Sequence, residues 1–426
     1  MDAGGAQAHR RAAVLAIGDE LLAGAHADLN SPRISRELAT VGWPVGRVVV
    51  VGDNEDQIVQ ALEALCRDHD VVLVTGGLGP TLDDVTRSAV ARAARSPLLE
   101  HAAAAQQISA WFAARGREMP GSNLRQALFP KGAEVLPNAL GTAPGFTMET
   151  TGETAGARLF VLPGPPREMA GMLLGEVLPR LAQCAGDGSG QAAARRDFFM
   201  VGLSESAFAD AAGDWMERSA RPRMGVTAKT SILSVRLTLE PGAGDHGLLE
   251  ERAVAFQERF ERWIFSEQTP DLARVVGEHL LAENTSLALA ESCTGGLVAG
   301  ALTGVPGISR VFREGLVTYS NRSKCERLGV DRELIERHGA VSPEVAAAMA
   351  EGCARSSGAD IALAVTGIAG PGGGTPDKPV GLIWYGLHRA GETSTAQRRF
   401  PARGRQQVRE FATQTALALI WRALRA

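Results

Sequence analysis

Short apolar runs alternate with stretches in which apolar side chains recur every three or four positions, and the alternation begins at Ala12. "AAVLAIGDE" reads as a strand that ends in a polar loop. Ser31 and Pro32 look like the N-cap and first residue of a helix with Ile34, Leu38 and Val41 on one face and Gly42 as its stop. "GRVVVVGD" is a second strand, and its four consecutive valines predict burial on both faces. Asn54 is placed to cap a helix with Ile58, Leu62, Leu65 and Cys66 on one side, and "DVVLVTGG" is a third strand. Such strand–helix alternation predicts an α/β domain over 12–181, with a parallel sheet covered by helices, that runs on through "FVLPGPPREM".

The pattern then changes. "AQCAGDGSGQAAARR", 182–196, is small, polar and glycine-bearing, and marks a boundary. Over 196–265 the order is a strand ("DFFMVG"), a helix from near Ser204, an alternating strand ("SILSVRLTLE") and a charged helix from about Gly247 to Arg262, which predicts a small α+β module. Strand–helix alternation resumes over 269–424 and predicts a second α/β domain. No residue-level repeat relates the two larger blocks.

Composition narrows the class. A chain of 426 residues has room for two or three domains, and 45 % hydrophobic with 22 % charged residues fits a globular protein. The net charge of −4 argues against direct nucleic-acid binding, and no apolar run is long enough to span a membrane. The first twenty residues carry too short an apolar run for a signal peptide. Five cysteines, at 66, 184, 293, 325 and 353, form neither a disulfide framework nor a zinc motif, so a reducing cytoplasm is expected. A homodimer is the default assembly.

Two stretches carry candidate chemistry. "TGGLGPTLDDVT", 75–86, lies between a buried strand and a helix. Its glycines let backbone amides point outward beside a helix N-terminus, which suits phosphate. Asp83 and Asp84 would repel that phosphate unless a divalent cation such as Mg2+ lay between, although the same pair can simply stabilise a helix's first turn. The second stretch, "LALAESCTGGLVAG", 287–300, offers Ser292 and Cys293 as nucleophiles. No histidine lies in it, in "GLVTYSNRSK" (315–324) or in the Gly/Pro-rich loop of "ALAVTGIAGPGGGTPDKPVG" (362–381). His279 and His338 read as surface or capping groups. A buried, neutral Lys324 is the alternative base for Ser292, with the Tyr319 hydroxyl relaying the proton or orienting the amine. The amides of Gly295 and Gly296 are candidates for an oxyanion hole, and Cys293 would then be a buried small hydrophobe.

These motifs carry a resemblance over about 12–424. "TGGLGPTLDDVT" resembles the signature of the molybdopterin-binding MoaB/Mog-type domain. "GDELLAG" (18–24), "PNALGTAPGF" (137–146) and "LPGPPREM" (162–169) occur in the order of the CinA (competence/damage-inducible) family version of that domain. The resemblance implies a three-layer α/β N-terminal domain that hydrolyses the pyrophosphate of ADP-ribose with a divalent metal. It implies phosphate contacts from Thr75, Gly76, Gly77, Gly79 and Asn138, and metal contacts from Asp83, Asp84 and Glu20. Leu29 departs from the small polar residue usual before Asn30. The middle block resembles the family's KH-like module but lacks a basic GxxG loop, and reads as a spacer or dimerisation element.

The C-terminal block is similar to the family's nicotinamide-nucleotide amidohydrolase (PncC-type) domain through "AESCTGGLVAGALTGVPGIS", "GLVTYSNRSK", "HGAVSPEVAAAMAEG" and "AVTGIAGPGGGTPDKPVG". That similarity implies Ser292, Tyr319 and Lys324 as the catalytic set, acting on nicotinamide mononucleotide without a cofactor. Thr294, Gly295, Gly296, Thr366, Gly367 and Gly370 would line the substrate. Arg405, favoured among Arg403, Arg405 and Arg409, would meet its phosphate, although "RGR" stands where the family usually has Gly-Asp-Arg. Two rival readings are a molybdopterin-binding protein without hydrolysis and a non-catalytic interaction protein of DNA uptake or repair.

Overall fold

The computed structural model describes residues 11–150, 156–184, 194–239, 246–401 and 404–425. They pack as two compact units that divide between Ala194 and Arg195.

The first unit contains β1 (Ala12–Ile17), β2 (Val45–Val51) and β3 (Val71–Thr75), then β4 (Leu98–Glu100) and β5 (Leu128–Pro130), which pair only with each other. β6 (Glu134–Leu136), β7 (Gly145–Glu149) and β8 (Arg158–Leu162) complete a six-stranded sheet of order β2-β1-β3-β8-β7-β6. The first four strands in that order run parallel and the last two are antiparallel. Side-chain alternation divides the core into two layers. Ala13, Leu15 and Ile17 of β1 face Ile58, Leu62 and Leu65 of the helix Glu55–Asp68. Ala12 and Val14 face Ile34 and Leu38 of the helix Asn30–Thr40. The unit is therefore a three-layer α/β sandwich.

Two local expectations need correcting. The valine run of β2 is not buried on both faces: β2 is an edge strand paired only with β1, and Val48 is 46 % exposed. The helix expected after a Ser31 cap begins at Asn30 instead, where Asp28 Oδ1 accepts the Asn30 and Ser31 amides at 3.0 and 2.9 Å. The Asn54 cap is present, its Oδ1 accepting the Gln57 amide at 3.1 Å.

The second unit opens with β9 (Arg195–Val201), β10 (Arg223–Lys229), β11 (Ile232–Thr238) and β12 (Ile264–Ser266), an antiparallel sheet of order β10-β11-β9-β12. Sequence reading misses β10 and β12. β10 is exposed and contains Gly225, and its hairpin to β11 turns through Thr230 and Ser231 at φ 46° and 64°, with no Asn-Gly or Asp-Gly signal. One face of this sheet packs through Phe198 on Phe256 and through the rings of Phe208 and Phe260. From its other face Val201, Ile232 and Phe265 join the core of the following domain. The small module thus shares hydrophobic core with its C-terminal neighbour.

That neighbour contains β13 (Leu287–Glu291), β14 (Phe312–Val317), β15 (Ile361–Gly367), β16 (Leu382–Arg389) and β17 (Glu392–Arg399), in the order β14-β13-β15-β16-β17. β14, β13 and β15 are parallel, and the last two strands are antiparallel. Leu287, Leu289, Leu363 and Val365 pack on the helices Leu272–Glu283 and Arg405–Arg425. Ala288, Ala290, Ala362 and Ala364 pack on the helix Pro343–Ser357, whose close approach these small residues permit. No helix among the described residues is long and apolar enough to cross a membrane.

Candidate active sites

In each larger domain one strand has its sequence successors on opposite sides: β1 lies between β2 and β3, and β13 between β14 and β15. The crevice beyond the carboxyl ends of such strands is where open α/β sheets hold ligands. Both candidate motifs lie at such strand ends, after β3 and after β13.

In the C-terminal domain Ser292 is the first residue past β13, and its amide donates to Val365 O at 2.9 Å. Lys324 comes from the helix Asn321–Leu328, whose start is capped by Ser320. The lysine is 1 % exposed, and its Nζ lies 3.0 Å from Ser292 Oγ, 2.8 Å from Thr318 O and 3.4 Å from Tyr319 O. All three partners are uncharged. Burial pushes the lysine pKa down to about 8, because uncharged acceptors do not make up for the lost hydration of the ammonium. A neutral amine has two N–H groups and one lone pair. Two carbonyls can take the former, leaving the lone pair for the Ser292 hydroxyl proton. Cys293 is 5 % exposed, and burial pushes its thiol up to about 12, which suits a packing residue and not a nucleophile.

The turn that presents Ser292 is held from two sides. The buried Glu291 carboxylate lies beneath it and accepts the amides of Gly296, Val298 and Ala299 at 3.0, 3.2 and 2.8 Å. Arg409, from the last helix, donates to the carbonyls of Cys293 and Thr294 at 3.2 and 2.8 Å. Gly295 and Gly296 take φ of 62° and 93°, where a side chain would be strained.

Several expectations about this site change. The Gly295 amide donates to Ser292 O at 3.1 Å and the Gly296 amide to Glu291, so both groups expected in an oxyanion hole are occupied within the turn. The Tyr319 ring is 57 % exposed and its hydroxyl accepts from Arg405 Nη2 at 2.5 Å; the main-chain carbonyl, not the hydroxyl, contacts Lys324. Arg405 also donates to Gly370 O at 2.7 Å, which ties the glycine-rich loop to Tyr319. The Thr366 hydroxyl donates to Ala340 O at 2.7 Å. Gly367 is required by packing, since a Cβ there would fall 2.3 Å from Ile383 Cδ1. Thr294 and Thr318 are buried, and neither hydroxyl has a partner. Arg403 lies outside the described residues. Sequence reasoning missed Glu291 and the Arg409 contacts; a lone glutamate at a strand end and one arginine of a basic cluster carry little signal.

In the N-terminal domain, Thr75, Gly76 and Gly77 at the end of β3 face Gly18 and Glu20 beyond β1 across a cavity of about 570 Å³. Gly76 and Gly77 have φ of 110° and 64° and lie against Ile17 O and the Thr86 side chain, where a Cβ would clash. Asn30 Nδ2 donates to Thr75 Oγ1 at 2.9 Å and to Gly164 O at 2.8 Å. Its Oδ1 is buried without a partner, in a residue that lines the cavity. Arg87, 4 % exposed, supports the loop from behind through Leu78 O at 2.9 Å, and burial pushes its pKa down to about 10.

The predicted metal pair divides. Asp84 accepts the Gly79 and Thr81 amides at 2.7 and 2.8 Å and the Thr81 hydroxyl at 2.5 Å, so its carboxylate shapes the loop. Asp83 is exposed at the cavity, with Asp84, Glu20 and Asp53 also lining it. Burial first, then the charges of Asp19, Glu20 and Asp83, raises the Asp53 carboxyl above its usual range despite the Asp19 amide bonded to it. Among the described residues no three His, Cys, Asp or Glu side chains are grouped closely enough to hold a metal alone. Asn138 is not part of the cavity wall. It clamps its own loop, donating to Ala143 O at 3.0 Å and Glu168 Oε2 at 2.6 Å and accepting the Leu140 and Gly141 amides at 3.0 Å each.

The chain thus joins two α/β domains, each with its candidate motif at a switch point of its sheet. Residues 13–183 match the family described as "Probable molybdopterin binding domain", and residues 269–424 match "CinA C-terminal domain". A "Putative competence-damage inducible protein" of Moorella thermoacetica is 40 % identical over 98 % of this chain and 99 % of its own length. A protein of the same description from Alkaliphilus metalliredigens is 40 % identical over 97 % of this chain and 99 % of its own. A solved structure of the competence/damage inducible protein CihA from Agrobacterium tumefaciens is 42 % identical, covers 37 % of this chain and 94 % of its own, and has a TM-score of 0.36. The chain belongs to the CinA (competence/damage-inducible) family.

Proposed function

We propose that the C-terminal site hydrolyses the carboxamide of nicotinamide mononucleotide to nicotinate mononucleotide and ammonia. The observation that carries this reading is the buried Lys324 Nζ, 3.0 Å from Ser292 Oγ and surrounded by uncharged oxygens. Lys324 takes the hydroxyl proton as Ser292 Oγ bonds to the carboxamide carbon. The tetrahedral adduct collapses as Lys324 returns that proton to nitrogen, and ammonia leaves an acyl ester on Ser292. Water then attacks the ester, Lys324 takes its proton, and the carboxylate departs as Ser292 regains its hydrogen. Tyr319 and Arg405 flank this site and are assigned to substrate binding. Tyr319→Phe is therefore expected to raise KM for ammonia release while leaving kcat within about tenfold of wild type, below the contribution of a true acid–base group. A kcat loss as deep as that of Ser292→Ala would return Tyr319 to the proton path.

For the N-terminal cavity we propose a nucleotide pyrophosphate, ADP-ribose in particular, with a divalent cation. The unpartnered Asn30 Oδ1 and the crowding of Glu20, Asp53 and Asp83 fit a ligand that brings hydrogen-bond donors and positive charge. Asp83, aided by Glu20 or Asp53, would contribute to the cation's shell, with phosphate and water supplying most of it, and the ion would offset phosphate charge. Asp83→Asn is expected to lower AMP release from ADP-ribose by at least about tenfold, and to weaken Mn2+ binding measured separately by paramagnetic relaxation. The match of 13–183 to a molybdopterin-binding description favours a second reading, in which the same cradle holds a pterin phosphate. Bound pterin fluorescence without AMP release would select it. A cytoplasmic setting agrees with both nucleotide substrates.

A further inference from the structure

A second cavity, of about 660 Å³, lies within the second unit, between the small module and the C-terminal domain. Val201 and Leu233 wall it on one side, and Phe400, Phe411 and Leu419 on the other. Arg398 and Arg422 reach it from β17 and the last helix. The Arg422 guanidinium lies against the backbone of Gly202, where a Cβ would stand 2.3 Å from Nη2, so the glycine makes room for it. The charged groups acting on Arg422 are two more arginines, Arg398 and Arg262, and with burial they hold its pKa below the ordinary value. The described residues form no ion pair with Arg422 or Arg398; Arg398 makes one hydrogen bond, to Gln397 O at 2.8 Å. Glu205, exposed, is the one carboxylate on the lining.

Arg398 is exposed and Arg422 partly buried, and two cations without a counter-ion at the edge of an apolar cavity repel each other and favour an anion between them. We propose that this cavity binds a small organic anion with an apolar body, its head on Arg422 and Arg398 and its ring or chain against Phe400, Phe411 and Leu419. Ligand pockets commonly have this make-up, an apolar wall with a few convergent polar groups. None of these residues belongs to either candidate active site.

The test uses the full chain, with anilinonaphthalene sulfonate as an anionic probe and N-phenylnaphthylamine as a neutral one. Saturable binding of the sulfonate is expected, weakened about tenfold or more by Arg422→Gln, with the neutral probe still bound by that variant. Ala228→Trp, at an exposed lining position, should weaken both probes by filling the space. No saturable sulfonate binding, or binding unchanged in Arg422→Gln, would overturn the proposal. Retained neutral binding in Arg422→Gln shows that the cavity is still folded.

Discussion

Lys324→Met is expected to lower kcat for ammonia release from nicotinamide mononucleotide by about 10²- to 10⁴-fold, the range a positioned general base supplies. The substitution keeps an unbranched apolar stem and removes the amine, whose environment suppresses its charge. The sign of the pH dependence follows from the same feature. The working form is the neutral amine, so kcat/KM should rise with pH and level off above about 8, where burial places the lysine pKa. In Lys324→Met the residual rate should lose this rise. Methionine also relieves the cost of burying an amine, so urea unfolding should show stability equal to or above wild type. A variant that is stable but slow separates catalysis from folding. An unaltered rate would remove Lys324 from the mechanism.

The second large effect belongs to Glu291. Its carboxylate serves three backbone amides in a buried turn, and Glu291→Ala would leave Gly296, Val298 and Ala299 without that acceptor. Unsatisfied buried donors cost about 1–3 kcal/mol each, with partial relief if water enters. A loss of about 3–5 kcal/mol in urea unfolding is expected, together with loss of amide hydrolysis, since the same turn presents Ser292. Glu291→Gln retains an acceptor oxygen and should fall between the two. A Glu291→Ala protein as stable as wild type would mean that the turn holds without this carboxylate.

Much of this arrangement was legible in the chain. The β1 and β3 runs lie in the sheet interior, so their apolar identity and position agree. β2 is as apolar in sequence yet forms an edge, because apolar content reports β preference more directly than how many neighbours a strand has. The Ser292–Lys324 pair could be suggested from residue types and flanking strand ends, but the 3.0 Å contact depends on β13 and β14 being neighbours in the sheet. The Tyr319 side chain was harder to place, since sequence proximity to Lys324 does not say that its ring turns outward to Arg405. Asp83 and Asp84 are adjacent and both line the cavity, yet the Asp84 carboxylate is also engaged by the Gly79 and Thr81 amides. Neighbours in a tight loop can be bonded differently, and residue type alone does not separate a ligand contact from a loop clamp. Asn138 illustrates the same limit, because its four hydrogen bonds all serve the loop it sits in or Glu168.

The most direct test of the central claim is ammonia release from nicotinamide mononucleotide by the wild-type chain, Ser292→Ala and Cys293→Ala. The account predicts that wild type and Cys293→Ala release ammonia at comparable rates, with Ser292→Ala reduced to background. Activity that survives in Ser292→Ala and is lost in Cys293→Ala, or no release by the wild-type chain, would contradict it.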